Sequence, residues 1–220
     1  MIVNDERKFA FIEVPKTGTS TIAKCLLQID PGCRRNRLIG LDGRAVEVPV
    51  HATVSDVRRL LGSDAEQYTF VAFLRDPVEV MVSKYHFYRT GRAAQRSASE
   101  RGDIGRKMRV AFARSLPIVA WCALYPFKSS AHFVLDEGTL AVDLLGDFAD
   151  IQTEVVRIFG RFGYEADQLA LTFENRTGYS RPSSPVYRWL QIIASIKLRQ
   201  DFQLYEAARN KSRASLPANN

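Results

Sequence analysis

The sequence has little of what metal centres and disulfide frameworks are built from. Cysteine occurs three times, at Cys25, Cys33 and Cys122, with no C-x-x-C spacing, and the three histidines are scattered. Neither a zinc site nor a set of disulfides is expected, and a sparse, odd cysteine count suits a reducing compartment. Cys25 lies among apolar residues and reads as core. No run of eighteen apolar residues exists, so no membrane span is expected. Met1 to Lys8 is short and polar and lacks the pattern of a secretory leader, which points to a cytoplasmic protein. Internal repeats and linker-like stretches are also missing.

What remains is ordinary globular material. The chain has 220 residues, 46% hydrophobic and 25% charged, enough for one domain with a large core over residues 1–209. Residues 210–220 carry few large apolar side chains and are expected to fray. The 31 basic and 24 acidic residues give a net charge of +7. That balance favours anionic ligands without selecting one.

Patterning predicts an α/β domain. Lys8 to Pro15 (KFAFIEVP) and Tyr68 to Leu74 (YTFVAFL) are near-continuous apolar runs, as strands buried on both faces are. Ile22, Leu26 and Ile29 recur at helical spacing, and Asp30-Pro31-Gly32 stops that helix. Arg44 to Val50 alternates like a short strand, and Thr53 with Asp56 forms a capping box for the next helix. Asp76-Pro77 opens another helix with a buried stripe at Val78, Met81, Val82 and Tyr85. A helical stretch is expected through Trp121. Ala131 to Leu135 (AHFVL) reads as a strand, Phe148 to Phe162 as an amphipathic helix, and Val186 to Ile196 as another. Strands alternating with helices predict a three-layer, P-loop-like domain around a central parallel sheet.

Two strand-to-helix junctions carry chemistry. Val14 to Thr21 reads VPKTGTST, where helix N-terminal amides, a close backbone approach at Gly18, the Lys16 charge and the hydroxyls of Thr17, Thr19, Ser20 and Thr21 suit a phosphate or sulfate. The Walker order G-x-x-x-x-G-K-[ST] is not met, because its first Gly is missing and the Lys precedes the Gly. A turn in which Thr and Ser merely cap the helix is the other reading. The second junction, Leu74 to Arg89, reads LRDPVEVMVSKYHFYR. Arg75 leaves a strand at the end where open α/β sheets bind ligands, and Ser83 follows about two helical turns on. Together they suit a phosphate; taken alone, the two residues are better explained by a salt bridge and a solvated helix face.

VPKTGTST together with RDPVEVMVSKYHFYR resembles the two nucleotide signatures of sulfotransferases, and is similar to the uronosyl 2-O-sulfotransferase type. PVHATVSDVRRL resembles that group's His-bearing segment, and ENRTGY (Glu174 to Tyr179) its late loop. The resemblance runs from about Phe9 to Ala208 and departs from the animal enzymes in having no membrane anchor and little extra sequence for a polysaccharide groove. It implies that 3′-phosphoadenosine 5′-phosphosulfate is the co-substrate. The first loop then holds the 5′-phosphosulfate, Arg75 and Ser83 the 3′-phosphate, and Arg176 completes that phosphate's site. The implied acceptor is a hydroxyl, on a carbohydrate, with no metal required.

Sulfuryl transfer is an in-line displacement at sulfur. It needs a base for the acceptor proton and a cation for the bridging oxygen. His51, between a strand end and a helix cap, is the expected base, and Lys16 the expected cation. His86 and His132 read as structural. The basic stretch Thr90 to Arg109 reads either as an acceptor-facing lid or as a solvated loop. Two other classes fit parts of the pattern. A nucleotide kinase would need Mg²⁺, with Asp76 as a possible ligand. A non-enzymatic polyanion binder would interleave basic and aromatic residues, which 90–109 does not, so no nucleic-acid partner is expected.

Overall fold

The computed structural model describes residues 1–39, 43–90, 104–172 and 182–214. They form strands β1 (Ile2–Asn4), β2 (Phe9–Ile12), β3 (Cys33–Arg35), β4 (Arg37–Ile39), β5 (Ala45–Glu47), β6 (Thr69–Leu74), β7 (Leu135–Asp136), β8 (Thr139–Leu140) and β9 (Leu144–Asp147). The helices are α1 (Thr19–Ile29), α2 (Val54–Leu61), α3 (Pro77–Arg89), α4 (Ile104–Ser115), α5 (Ile118–Leu124), α6 (Ala131–Val134), α7 (Ile151–Phe159), α8 (Ser184–Lys197) and α9 (Arg199–Ala214). The chain divides into two compact units: residues 1–75, 129–174 and 203–220, and residues 76–128 and 175–202.

The first unit is α/β. Its central sheet has five strands in the order β3-β1-β2-β6-β9. The sheet is mixed rather than parallel throughout: β2, β6 and β9 run parallel, whereas β1 pairs antiparallel with both β2 and β3. The reason lies in Met1 to Lys8. A four-residue turn joins β1 to β2, and so short a connection makes only antiparallel neighbours. The turn is held by the Arg7 amide donating to Asn4 Oδ1 at 2.8 Å.

Alternation along β2 and β6 builds the two core faces. Ala10, Ile12, Phe70, Ala72 and Leu74 join a cluster that includes Val54 and Val57 of α2 and Ala208 of α9. Phe9, Phe11, Val71 and Phe73 point the other way, onto Ile22 and Leu26 of α1 and Val155 and Ile158 of α7. Helices therefore cover both faces. The Thr53–Asp56 capping box of α2 is present as expected.

One local expectation is met at the edge of the fold and another needs correction. Ala45–Glu47 is a strand, but it pairs only with β4, outside the central sheet. Its burial pattern is nearly all exposed, so no hydrophobic face draws it inward. AHFVL is not one strand: Ala131–Val134 is a helical turn, and only Leu135 continues as β7, in a small hairpin with β8. A run of five residues, four of them apolar, is too short for its periodicity to decide helix against strand. Here the Ala131 amide donates to Ser129 Oγ at 3.1 Å, starting the turn.

The second unit is helical as far as it is described. Val78, Met81, Val82 and Tyr85 of α3 pack with Val110 and Ala113 of α4, Trp121 and Cys122 of α5, and Leu190 and Ala194 of α8. Asp76 caps α3, accepting from the Val78 and Glu79 amides at 2.8 and 3.2 Å. Among the described residues no helix is long and apolar enough to cross a membrane.

Candidate active site

The VPKTGTST segment leaves the carboxyl end of β2 and enters α1. Lys16 has φ 71° and Gly18 φ 75°, two left-handed residues that turn the chain sharply within the loop. A lysine in that region carries a backbone cost of roughly 1–3 kcal/mol, tolerated where the surroundings enforce it. Gly18 is required twice over. Its φ disfavours any other residue, and a Cβ there would stand 2.6 Å from Ile151 Cδ1 and 2.7 Å from Phe148 Cε2. As the N-cap of α1 it supplies no side chain, and the first turn holds no acidic residue. The Thr21 and Ile22 amides close back on the Gly18 carbonyl at 2.9 and 3.3 Å, and the positive end of the helix dipole at this terminus is a setting that favours anions.

The four hydroxyls of the loop do not act alike. Thr17 is fully buried, and its Oγ1 donates to the Val14 carbonyl at 2.9 Å; Thr19 Oγ1 reaches the same oxygen at 3.5 Å. These two hold the loop's shape. Ser20 is exposed and Thr21 half-buried on the first turn of α1.

Arg75 joins this loop from β6. Its guanidinium donates to the Lys16 carbonyl at 3.4 Å and lies 4.4 Å over the Phe148 ring. The parallel pairing of β2 with β6 and of β6 with β9 brings these residues to one end of the sheet, since all three strands finish there. Phe148 follows β9 directly. It supports Arg75 and walls Gly18 at once; the sequence marks it only as the start of an amphipathic helix, because Leu144 to Asp147 is too short and too mixed to announce the strand that carries it to the loop.

His51 sits beside the same strand end. Its Nδ1 is 2.6 Å from the Glu13 carbonyl oxygen, so Nδ1 carries the proton and donates, leaving Nε2 with the lone pair. The residue keeps an exposed edge, while its ring packs edge-on against Phe133 at 6.3 Å. Partial burial is the main reason its pKa lies below the ordinary 6.5; the bond to Glu13 opposes that shift. A neutral imidazole of fixed tautomer is what a general base requires. Nearby carboxylates are engaged otherwise. Glu13 is fully buried and paired with Arg35 at 2.6 Å, and Asp56, held ionised by hydrogen bonds from Thr53, serves the α2 cap.

No family model, curated protein or solved structure matches the chain. The reading of the site rests on its own residues.

Of the expected site residues, Lys16, Thr17, Gly18, Thr19, Ser20, Thr21, Arg75 and His51 belong to the first unit, at the carboxyl ends of β2 and β6 or in the segment that follows β5. Ser83 lies in α3 of the second unit and is 5% exposed. Arg176, with the rest of ENRTGY, lies outside the described residues, as do residues 91–103 of the basic stretch. The 650 Å³ cleft of the first unit is lined by Arg35, Arg37, Glu47 and Val50 rather than by the loop, and Val50 is the residue preceding His51.

Proposed function

We propose that the chain is a sulfotransferase moving the sulfuryl group of 3′-phosphoadenosine 5′-phosphosulfate to a hydroxyl, on a carbohydrate, within a P-loop-like fold. One observation carries this reading: Arg75, from the second sulfotransferase-like motif, is bonded to the Lys16 carbonyl in the first. Two motifs separated by nearly sixty residues thus meet at one end of the sheet. The anion-accepting loop fits a phosphosulfate, with Lys16 and the first turn of α1 holding it. Arg75 is assigned to the 3′-phosphate. The co-substrate supplies the sulfuryl group, and His51 Nε2 takes the proton of the acceptor hydroxyl. The kinase alternative is weaker because Asp76, its one suggested metal ligand, is committed to capping α3.

Adenosine 3′,5′-bisphosphate should raise the melting temperature without added metal. At a hundredfold excess over its dissociation constant, a ligand of the folded state adds about 2.7 kcal/mol, on the order of 5–10 °C for a chain of this size. Differential scanning fluorimetry reads this directly. Stabilisation by ATP with Mg²⁺ but not by the bisphosphate would rule the sulfotransferase reading out.

Arg75→Ala should weaken the bisphosphate by about 1.5–3 kcal/mol, the worth of a charged hydrogen bond. Adenosine 5′-phosphosulfate, which lacks the 3′-phosphate, should lose less. Equal losses in calorimetric titrations of both nucleotides would mean that Arg75 acts only by bracing the loop through the Lys16 carbonyl.

A further inference from the structure

The net positive charge of the protein belongs entirely to the second unit. Its two segments hold 15 basic and five acidic residues, against 16 and 19 in the first unit, formal charges of +10 and −3. Among the described residues, the same unit displays most of the large apolar side chains left in solvent. On α8, Trp189, Ile192 and Ile196 are 60%, 51% and 76% exposed. They recur at i, i+3 and i+7, a single stripe along the helix face opposite buried Leu190 and Ala194. Leu124, which ends α5, and Met108 of α4 are 64% and 67% exposed. Arg188 and Arg199 flank the stripe in sequence.

We infer that this face of the second unit docks on an anionic membrane surface. A helix lying in a lipid interface presents Trp and aliphatic residues on one side and arginine or lysine around them, and its affinity sums apolar burial with attraction to acidic headgroups. The exposed stripe and the +10 charge supply both parts. A second copy of the chain fits worse, because it would bring two strongly positive units together. A dissolved polyanion would use the charge and leave Ile192 and Ile196 in water. The inference is independent of the sulfotransferase reading: it concerns other residues, and its test needs no nucleotide.

Tryptophan reports on it. Trp121 is fully buried and Trp189 exposed, and the sequence has no others. Vesicles of phosphatidylcholine with phosphatidylserine should shift the emission of the intact protein to the blue, and brominated lipid should quench it. Phosphatidylcholine alone should do neither. Ile192→Glu with Ile196→Glu, both on exposed positions, should keep the native melting temperature and lower co-sedimentation with the acidic vesicles by about tenfold or more. Unchanged co-sedimentation of that variant would reduce the effect to charge adsorption and overturn the proposal. So would the absence of binding by the native protein. Light scattering that showed a native dimer dissociated by the same substitutions would assign the stripe to a second copy instead.

Discussion

His51→Ala is expected to slow turnover by roughly 10²–10⁴-fold while leaving nucleotide affinity nearly unchanged. The imidazole is fastened through Nδ1 to the Glu13 carbonyl and contacts Phe133, apart from the loop proposed to hold the anion. Its loss therefore removes a proton acceptor without removing a cation. The pH dependence follows from the sign of its shift. With the pKa below 6.5, the base is neutral at pH 7, so activity should be flat through neutrality and fall only on acidification below 6.5. Stability moves the same way. A histidine harder to protonate when folded favours the unfolded chain as pH drops below the unfolded value, so that contribution is present above pH 6.5 and lost beneath it. Single-turnover rates beside thermal melts separate the roles. A destabilised variant with native turnover would take His51 out of the mechanism.

Gly18→Ala is expected to cost about 2–5 kcal/mol of stability and most of the nucleotide affinity. A left-handed backbone costs an L-residue roughly 1–2 kcal/mol, and forcing a methyl into a filled space typically adds 1–3. Here the methyl meets Ile151, which belongs to the core cluster, and Phe148, which lies under Arg75. Gly43 separates the two costs, since it has the same φ of 75° with nothing within 4 Å of a built Cβ. Gly43→Ala should therefore lose only the backbone share. Urea midpoints of both variants, with bisphosphate titrations, check this. Equal destabilisation would mean that Phe148 and Ile151 yield, and that the loop is not fixed by packing against them.

The Gly18 contrast also marks where sequence reading stops. That position 18 needed a glycine was legible from the VPKTGTST pattern; that Phe148 stands against it was not, because the two are brought together only by the pairing of β2 with β6 and of β6 with β9. Thr17 and Thr19 show the same limit. Both were expected to offer hydroxyls to an anion, and both instead donate to Val14, a choice set by the fold of five residues rather than by their identity.

Some of the protein was written locally. Two apolar runs buried on both faces made β2 and β6, and helical periodicity with Asp-Pro and Thr-x-x-Asp starts made α1, α2 and α3. These are interactions among residues a few positions apart, so their signal survives in one dimension. The tertiary structure decided what depends on distant partners. Ile2 and Val3 became core because β1 folds back between β2 and β3, turning a parallel sheet into a mixed one. Arg75 reached Lys16 because parallel neighbours finish at the same edge. The charge of +7 divided into +10 and −3 because segments 76–128 and 175–202, far apart in sequence, fold into one unit, and burial of Leu190 and Ala194 left Trp189, Ile192 and Ile196 outside. Burial is a property of packing between elements, and no local pattern specifies which apolar stripe of a helix finds a partner.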